Sequence, residues 1–207
     1  IQGGTHSVLR EESAKLMSRM DFAVHPIGGI VPLMENQRYR ELVEIIVSTK
    51  SHLTPERPVH LFGCGHPMLF PICIALGVDL FDSAAYALFA KDNRLLTPTG
   101  TVKLDGLKEW PEDSWVLRNT TPKKVQEMAD DERHALLARH NLAVTHSEIH
   151  RCRQAVRDGE IWHLVEKRSH CNPYLREATV WLYDNLPDEL VHNTVACRVG
   201  GVQWSQD

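Results

Sequence analysis

The sequence contains no apolar run close to the roughly 18 residues that a membrane-spanning helix needs. Its start also lacks the pattern of a signal peptide. Among its 207 residues, 23 Lys and Arg stand against 27 Asp and Glu, for a formal net charge of −4. This balance argues against a surface coated in positive charge for non-specific nucleic-acid binding, although it permits a local basic face. We therefore expect a cytoplasmic protein with no membrane partner.

Disulfide and CxxC patterns are absent as well. The cysteines are odd in number and scattered along the chain: Cys64, Cys73, Cys152, Cys171 and Cys197. Reduced thiols fit this spacing better than a disulfide framework does. His140, His146 and His150 lie near Cys152, and helical histidines four residues apart can bind zinc. Because no acidic or thiol partner completes a recognisable pattern, surface or capping histidines are the favoured interpretation and zinc binding is the alternative.

Residues 1–104 alternate short apolar strands with amphipathic helices. A strand ends at residues 1–5, and the pattern predicts further strands at 22–30, 59–62 and 78–81 with helices between them. Such alternation predicts right-handed crossovers and a parallel sheet. Four units make half of a (β/α)8 barrel, and an isolated half would leave two sheet edges and an apolar face uncovered.

The pattern therefore predicts the fold class α/β, with half of a (β/α)8 barrel followed by a mainly helical region. The half barrel occupies residues 1–104, the helical region 105–186 and an irregular tail 187–207. The chain opens without an initiator methionine. We expect that the natural polypeptide begins further upstream or is encoded in pieces.

Asp82 directly follows the last predicted strand of the sheet. A carboxylate at the C-terminal end of a barrel strand lies where such enzymes perform their chemistry. It could attack an anomeric carbon and form a covalent glycosyl intermediate. The same residue could equally cap the helix that follows, and spacing alone does not separate the two interpretations.

Glycines end three successive predicted strands, in the segments 2–4, 28–29 and 63–65. Such glycines let backbone groups approach a planar ligand closely. Gln2 offers both a donor and an acceptor to the edge of a heterocycle, and Phe62 could stack on a base. The alternative for each site is an ordinary βα turn beside a core phenylalanine, and the repetition favours ligand binding modestly.

These segments together resemble a known family. The strings IQGGT with LREES, then IGG, GCGHP and GVDLFDSAAYA, occur in the order and spacing of tRNA-guanine transglycosylases. The stretch from His60 to Ala90 is most similar to the archaeal branch, and the similarity continues to about Leu182. Members of this family replace a genetically encoded guanine in tRNA by a 7-deazaguanine without cutting the strand. In the archaeal branch the incoming base is 7-cyano-7-deazaguanine, on the way to archaeosine.

The resemblance assigns roles to individual residues. It implies that Asp82 is the nucleophile that displaces guanine and bonds to ribose C1′. It also implies that Gln2, Gly28 and Gly29 read the base edge and that Phe62 forms one side of the base slot. His66 and Lys91 fall where family members touch the tRNA backbone. The target base has to leave its stack to reach such a pocket.

The sequence departs from the family in two respects. The resemblance implies that the chain is the second half of the (β/α)8 barrel. The first half, with the family's other active-site carboxylate, lies outside the chain, so we expect an N-terminal half in the same or a separate chain as a partner. The family's zinc site is a CxCxxC run followed by a histidine. Here His140 remains, but the cysteine positions carry Glu112, Ser114 and Leu117. We therefore expect no metal and no cofactor.

Two functions remain open at this point. The first is the transglycosylase, with tRNA and a 7-deazaguanine base as partners and a homo-oligomeric assembly. The alternative is a non-catalytic subunit that binds tRNA for such an enzyme, and the intact run around Asp82 favours the first. Several basic residues could form a phosphate-facing surface, although interspersed acids make a mixed-charge surface the default. These are Lys123, Lys124, Arg151, Arg153, Arg157, Lys167 and Arg168.

Overall fold

The structure, a computed structural model, describes residues 1–188 and 190. The first part of the chain alternates helices and strands, in the order α1 Ser7–Ser18, β1 His25–Ile27, α2 Val31–Glu35, α3 Tyr39–Lys50, β2 Val59–Leu61, a 3₁₀ turn Pro67–Leu69, α4 Phe70–Ala75, β3 Leu80–Phe81 and α5 Ala85–Lys91. The second part contains β4 Arg94–Thr97, β5 Gly100–Lys103, α6 Pro122–Gln126, α7 Asp130–Asp158, α8 Ile161–Ser169 and α9 Pro173–Asn185. The predicted irregular tail lies largely outside the described residues.

The first three strands form a parallel sheet in the order β1-β2-β3. The start of the chain lies beside β1, because the amide of Gly28 donates to the carbonyl of Ile1 at 3.1 Å. The amino group of Ile1 in turn donates to the carbonyl of Pro26. Sequential strands are therefore neighbours in space, and the predicted parallel α/β arrangement is confirmed. The strand expected at residues 1–5 is not present in the structure, and these two hydrogen bonds alone pair Ile1 with the end of β1.

The two faces of the sheet differ in their cover. On one face Ile27, Val59 and Leu61 are completely buried in the main core. On the other face Pro26 pairs with His60, and His60 pairs with Leu80. Leu80 is 45% exposed. One face of the sheet is thus packed against the core while the other is only partly covered, which is unusual because parallel sheets are normally buried on both faces.

Two helices differ from what the local sequence pattern predicts, namely that Asn36 caps the helix after it and that the apolar positions 125–137 and 149–156 lie on two separate helices. Asn36 does not cap α3, because its side-chain nitrogen donates to the Pro32 carbonyl at 2.7 Å and closes α2; the residue before α3 is Arg38. The region 130–158 is one helix of 29 residues rather than parts of two. It contains neither Pro nor Gly, so nothing in its sequence interrupts the helix. It ends at Gly159, whose left-handed φ of 76° suits the residue after a helix.

Helix α7 connects two hydrophobic clusters. The main core contains the inner faces of α3 and α4 together with Cys152 of α7 and residues of α8 and α9. A second cluster gathers residues from both sides of position 104, namely Ala90, Leu95, Leu104, Leu117, Val125 and Leu137. Strands β4 and β5 form an antiparallel hairpin. The domain boundaries at 104 and 186 stay a prediction.

Within residues 1–188 and 190, no helix has both the length and the apolar character that crossing a membrane requires.

Candidate functional site

Asp82 lies immediately after β3, where its carboxylate meets the end of β2. Its oxygen Oδ1 accepts a hydrogen bond from the backbone N–H of Gly63 at 2.9 Å. The ring nitrogen Nε2 of His60 lies at the same distance from the same oxygen. The Asp82 side chain is 50% exposed, so it is held by two donors and remains open to a ligand.

The interpretation of Asp82 as a helix cap is wrong. Helix α5 begins at Ala85, its N-cap is Ala84, and no side chain caps it. The hydroxyl that bonds in this turn is that of Ser83, which accepts from the Ala85 amide at 2.9 Å. The Asp82 carboxylate instead turns towards β2.

Gln2 lies against the glycine pair that follows β1. A Cβ atom added to Gly28 would lie 2.5 Å from Nε2 of Gln2, and one added to Gly29 would lie 2.9 Å from its Oε1. Gly29 also has a left-handed φ of 71°, which favours glycine. The two glycines therefore leave the space that the Gln2 amide occupies, so the structure brings these three predicted residues together.

Arg10 ties the same segments to one another, and the sequence interpretation missed it. It is fully buried. Its guanidinium donates to the carbonyls of Ile1 at 3.1 Å, Gly4 at 2.9 Å and Gly28 at 2.9 Å. Burial lowers the pKa of Arg10 from its ordinary value. A charged residue on an otherwise amphipathic helix gave no periodic signal of this role, because its partners are backbone atoms of two distant turns.

Phe62 and the glycines after β2 lie at the same end of the sheet, where the strands terminate. Phe62 is 50% exposed, and its ring centroid lies 4.6 Å from that of His60. Its amide donates to the carbonyl of Ile27 at 3.0 Å, which places it beside the glycine pair of β1. A Cβ on Gly65 would lie 2.0 Å from the Cβ and Oγ of Ser83. The turn after β2 is therefore packed closely against the turn that carries Asp82.

His66 and Lys91 lie further along the chain from these strand ends, near α5. The Nδ1 atom of His66 accepts from the amide of Met68 at 3.3 Å and caps the 3₁₀ turn. Its ring packs edge-on against Phe89 at 6.1 Å. Burial, and secondly the charge of Arg94, lower the pKa of His66 to about 4. His66 is therefore uncharged near neutral pH, whereas Lys91 is exposed at the end of α5.

The residues at the position of the family's zinc site do not fit that metal. His140 is buried, and its Nε2 donates to the carbonyl of Leu96 at 3.2 Å. A carbonyl only accepts, so Nδ1 is left to accept from the Ser114 hydroxyl at 2.9 Å. Burial lowers the pKa of His140, which agrees with a neutral ring. Leu117 is buried in the second cluster and has no atom that could bind zinc.

The alternative zinc site on α7 receives no support either. His146 and His150 are exposed, whereas Cys152 is buried in the main core. Burial raises the pKa of the Cys152 thiol to about 12, so the thiolate form that metals bind is disfavoured. Among residues 1–188 and 190, no group of three or more His, Cys, Asp or Glu side chains could hold a metal ion.

One of the basic residues considered for a phosphate-facing surface is internal. Arg168 is 5% exposed, and its guanidinium donates to both carboxylate oxygens of Glu148, at 2.7 and 3.0 Å. Arg151 bonds to the same carboxylate from the outside. Arg168 therefore joins α8 to α7 internally and cannot face a phosphate, while Lys123, Arg153 and Arg157 are exposed.

An open groove of about 630 Å³ lies between β3 and α7, and β3 is the edge strand of its sheet within residues 1–188 and 190. Asp82 is among the residues that line the groove. The walls are mostly apolar and include Phe70, Ile74, Val78, Leu80, Leu142 and Ile149. The unpaired backbone of an edge strand beside an apolar wall is a surface on which a further strand can pair.

Known proteins resemble this chain over most of its length. A family model described as Queuine tRNA-ribosyltransferase matches residues 1–173. The chain is 52% identical over 185 residues to a tRNA-guanine(15) transglycosylase of Pyrococcus abyssi. The aligned residues make up 89% of this chain and 32% of that protein. Similar proteins occur in Methanococcus vannielii (54% identity, 84% of this chain, 27% of that protein) and Methanocaldococcus jannaschii (52%, 86% and 28%). The chain thus spans about a third or less of these relatives.

Proposed function

The chain belongs to the queuine tRNA-ribosyltransferase family, and we propose that it is the part of a tRNA-guanine transglycosylase that carries the catalytic nucleophile, Asp82. The reaction is the exchange of guanine in tRNA for 7-cyano-7-deazaguanine, in the archaeosine branch. The observation that carries the proposal is the half-exposed Asp82 carboxylate held by two donors at the end of β3. About half of the aligned residues are shared with archaeal tRNA-guanine(15) transglycosylases, which supports the branch.

The proposed reaction has two displacements at ribose C1′. In the first, Asp82 forms a bond to C1′ while the bond from C1′ to guanine N9 breaks and its electron pair leaves with guanine, which takes up a proton. In the second, N9 of the incoming base attacks C1′, loses its proton and releases the carboxylate. Two inversions at one carbon retain its configuration, as in a retaining glycosidase with a base in place of water.

The base slot is proposed at the ends of β1 and β2. The Gln2 amide presents a donor and an acceptor beside Gly28 and Gly29, whose lack of side chains gives it room. The exposed ring of Phe62 offers a stacking surface on the neighbouring strand. A planar, hydrogen-bonding heterocycle between these groups would lie at the same end of the strands as Asp82.

We propose that the N-terminal half of the barrel, in the same or a separate chain, is the partner that covers the open surfaces of the sheet. The sheet face bearing His60 and Leu80 is only partly covered, and the edge of β3 is unpaired within the described residues. Helix α1 also exposes Val8, Leu9 and Leu16. A half barrel leaves such apolar surface at both sheet edges, and a second half would bury it.

Contacts to tRNA are proposed on the side of α5. Lys91 is exposed there and can meet a phosphate as a charge, whereas His66, neutral near pH 7, could only offer a hydrogen bond. We propose a zinc-free protein, because the hydrogen bond between His140 and Ser114 and the buried Leu117 occupy the position of the zinc site. Stoichiometric zinc bound through His140 would contradict this. The homo-oligomeric assembly stays a prediction.

The test is incorporation of labelled guanine into tRNA by this chain, alone and with an N-terminal half, using Asp82→Asn as the control. We expect incorporation that requires the added half and disappears in Asp82→Asn, because the amide is a far weaker nucleophile. Denaturing gels should show a covalent complex of protein and tRNA only with Asp82 present. A folded complex that binds tRNA without incorporating guanine would favour the non-catalytic, tRNA-binding subunit instead.

A further inference from the structure

His60 is the side-chain partner of Asp82, and we infer that it fixes the carboxylate so that the other oxygen, Oδ2, is the one that attacks ribose. This inference rests on the proposed function, in which Asp82 is the nucleophile. His60 Nε2 and Gly63 N both lie 2.9 Å from Oδ1. The two hydrogen bonds described for the carboxylate therefore end on the same oxygen.

The position of His60 follows from the strand that carries it. Its neighbours in β2, Val59 and Leu61, are buried in the core, and alternation along the strand directs His60 to the opposite face. Its ring is packed against Phe62, with centroids 4.6 Å apart. Since a carboxylate only accepts, Nε2 carries the hydrogen in this contact. His60 thus presents a donor from a strand whose backbone is held in the sheet.

Two donors on Oδ1 have a chemical consequence. They hold the carboxylate plane against rotation, and they engage lone pairs of Oδ1 while Oδ2 stays available for the bond to C1′. When the ester forms, Oδ1 becomes its carbonyl oxygen and keeps both donors. When the incoming base breaks the ester, negative charge returns to the carboxylate, and the same donors stabilise it as the leaving group. His60 is accordingly a positioning residue that acts through Asp82.

The test compares His60→Phe with His60→Gln in the complete enzyme, by steady-state guanine exchange. Phenylalanine keeps a ring against Phe62 and removes the N–H, whereas glutamine removes the ring and keeps an N–H of similar reach. For His60→Phe we expect kcat to fall by about 10- to 100-fold with KM for guanine within about twofold. His60→Gln should recover most of kcat. An unchanged kcat in His60→Phe, or an equal loss in His60→Gln, would overturn the inference.

Comparison of Asp82→Asn with His60→Phe separates this inference from the proposed function. If the wild-type enzyme does not exchange guanine, the proposed function is wrong. If Asp82→Asn still exchanges guanine, the assignment of Asp82 as the nucleophile is wrong, and the inference about His60 fails with it. If Asp82→Asn is inactive while His60→Phe is fully active, only the role of His60 is wrong. Should His60→Phe fail to fold, as judged by thermal melting, His60→Asn provides the same comparison, because its shorter amide does not reach Oδ1. It should then lose kcat relative to His60→Gln.

Discussion

Replacing Gly28 by alanine tests whether the Gln2 amide reads the base in the proposed exchange reaction. Gly28 has an ordinary backbone conformation for alanine, but the new Cβ would lie 2.5 Å from Nε2 of Gln2. Comfortable contacts of carbon with other heavy atoms begin at about 3.5 Å. The amide therefore has to withdraw by about 1 Å, which it can do because it is the far end of a flexible side chain.

The expected effect is a loss of activity without a loss of stability. A displacement of about 1 Å in a positioning group can cost about 100-fold in rate, so kcat/KM for guanine exchange in the complete enzyme should fall by roughly that factor. The melting temperature should stay within about 4 °C of wild type or rise, since alanine restricts the unfolded chain. Gly65→Ala is the contrasting variant, because its Cβ would lie 2.0 Å from the Cβ of Ser83, which cannot swing away. That variant should lose stability.

A double-mutant cycle decides the cause. In a Gln2→Ala background the added Cβ has no amide to displace, so Gly28→Ala should cost little further activity. If Gly28→Ala alone exchanged guanine at the wild-type rate, the Gln2 amide would not read the base. If it remained costly in the Gln2→Ala background, the loss would come from the glycine backbone and the reasoning about Gln2 would be refuted.

Two further predictions concern the stability of the described chain. Arg168→Met leaves the fully buried Glu148 with the half-exposed Arg151 as its remaining ion-pair partner, so the free energy of unfolding in urea should fall by about 3–5 kcal/mol. Adding Glu148→Leu should restore most of the lost free energy. A loss below about 1 kcal/mol in Arg168→Met would contradict an internal ion pair. The lowered pKa of His66 predicts that stability is full above about pH 6.5 and declines by up to about 3 kcal/mol towards pH 4, because only the unfolded state takes up the proton in that window. His66→Asn keeps an acceptor for the Met68 amide and should flatten this pH dependence, and an unchanged slope would show that His66 is not its source.

Much of the fold was predictable because its signals are local. The short apolar strands, the helices between them and the glycines at their ends predicted a parallel sheet whose neighbours are sequential, and the structure has that order. Asp82 was a candidate from its position directly after a strand, and the family resemblance implied its role. Helix boundaries were less predictable, because a residue such as Asn36 can end one helix as readily as it can cap the next.

The contacts that define the site were beyond the sequence. His60 bonds to Asp82 across 22 residues, and Arg10 reaches the carbonyl of Gly28 across 18. His140 meets Ser114 across 26 residues. No periodicity relates such pairs, since their approach depends on how whole strands and helices pack.

The sequence by itself thus determined the element types and singled out Asp82 as the candidate nucleophile, through patterns within a few positions of one another. Only the tertiary structure decided which donors hold that residue, which cations are internal, and which sheet face and edge stay open. These are properties of surfaces that several elements form together, and packing sets them rather than local preference.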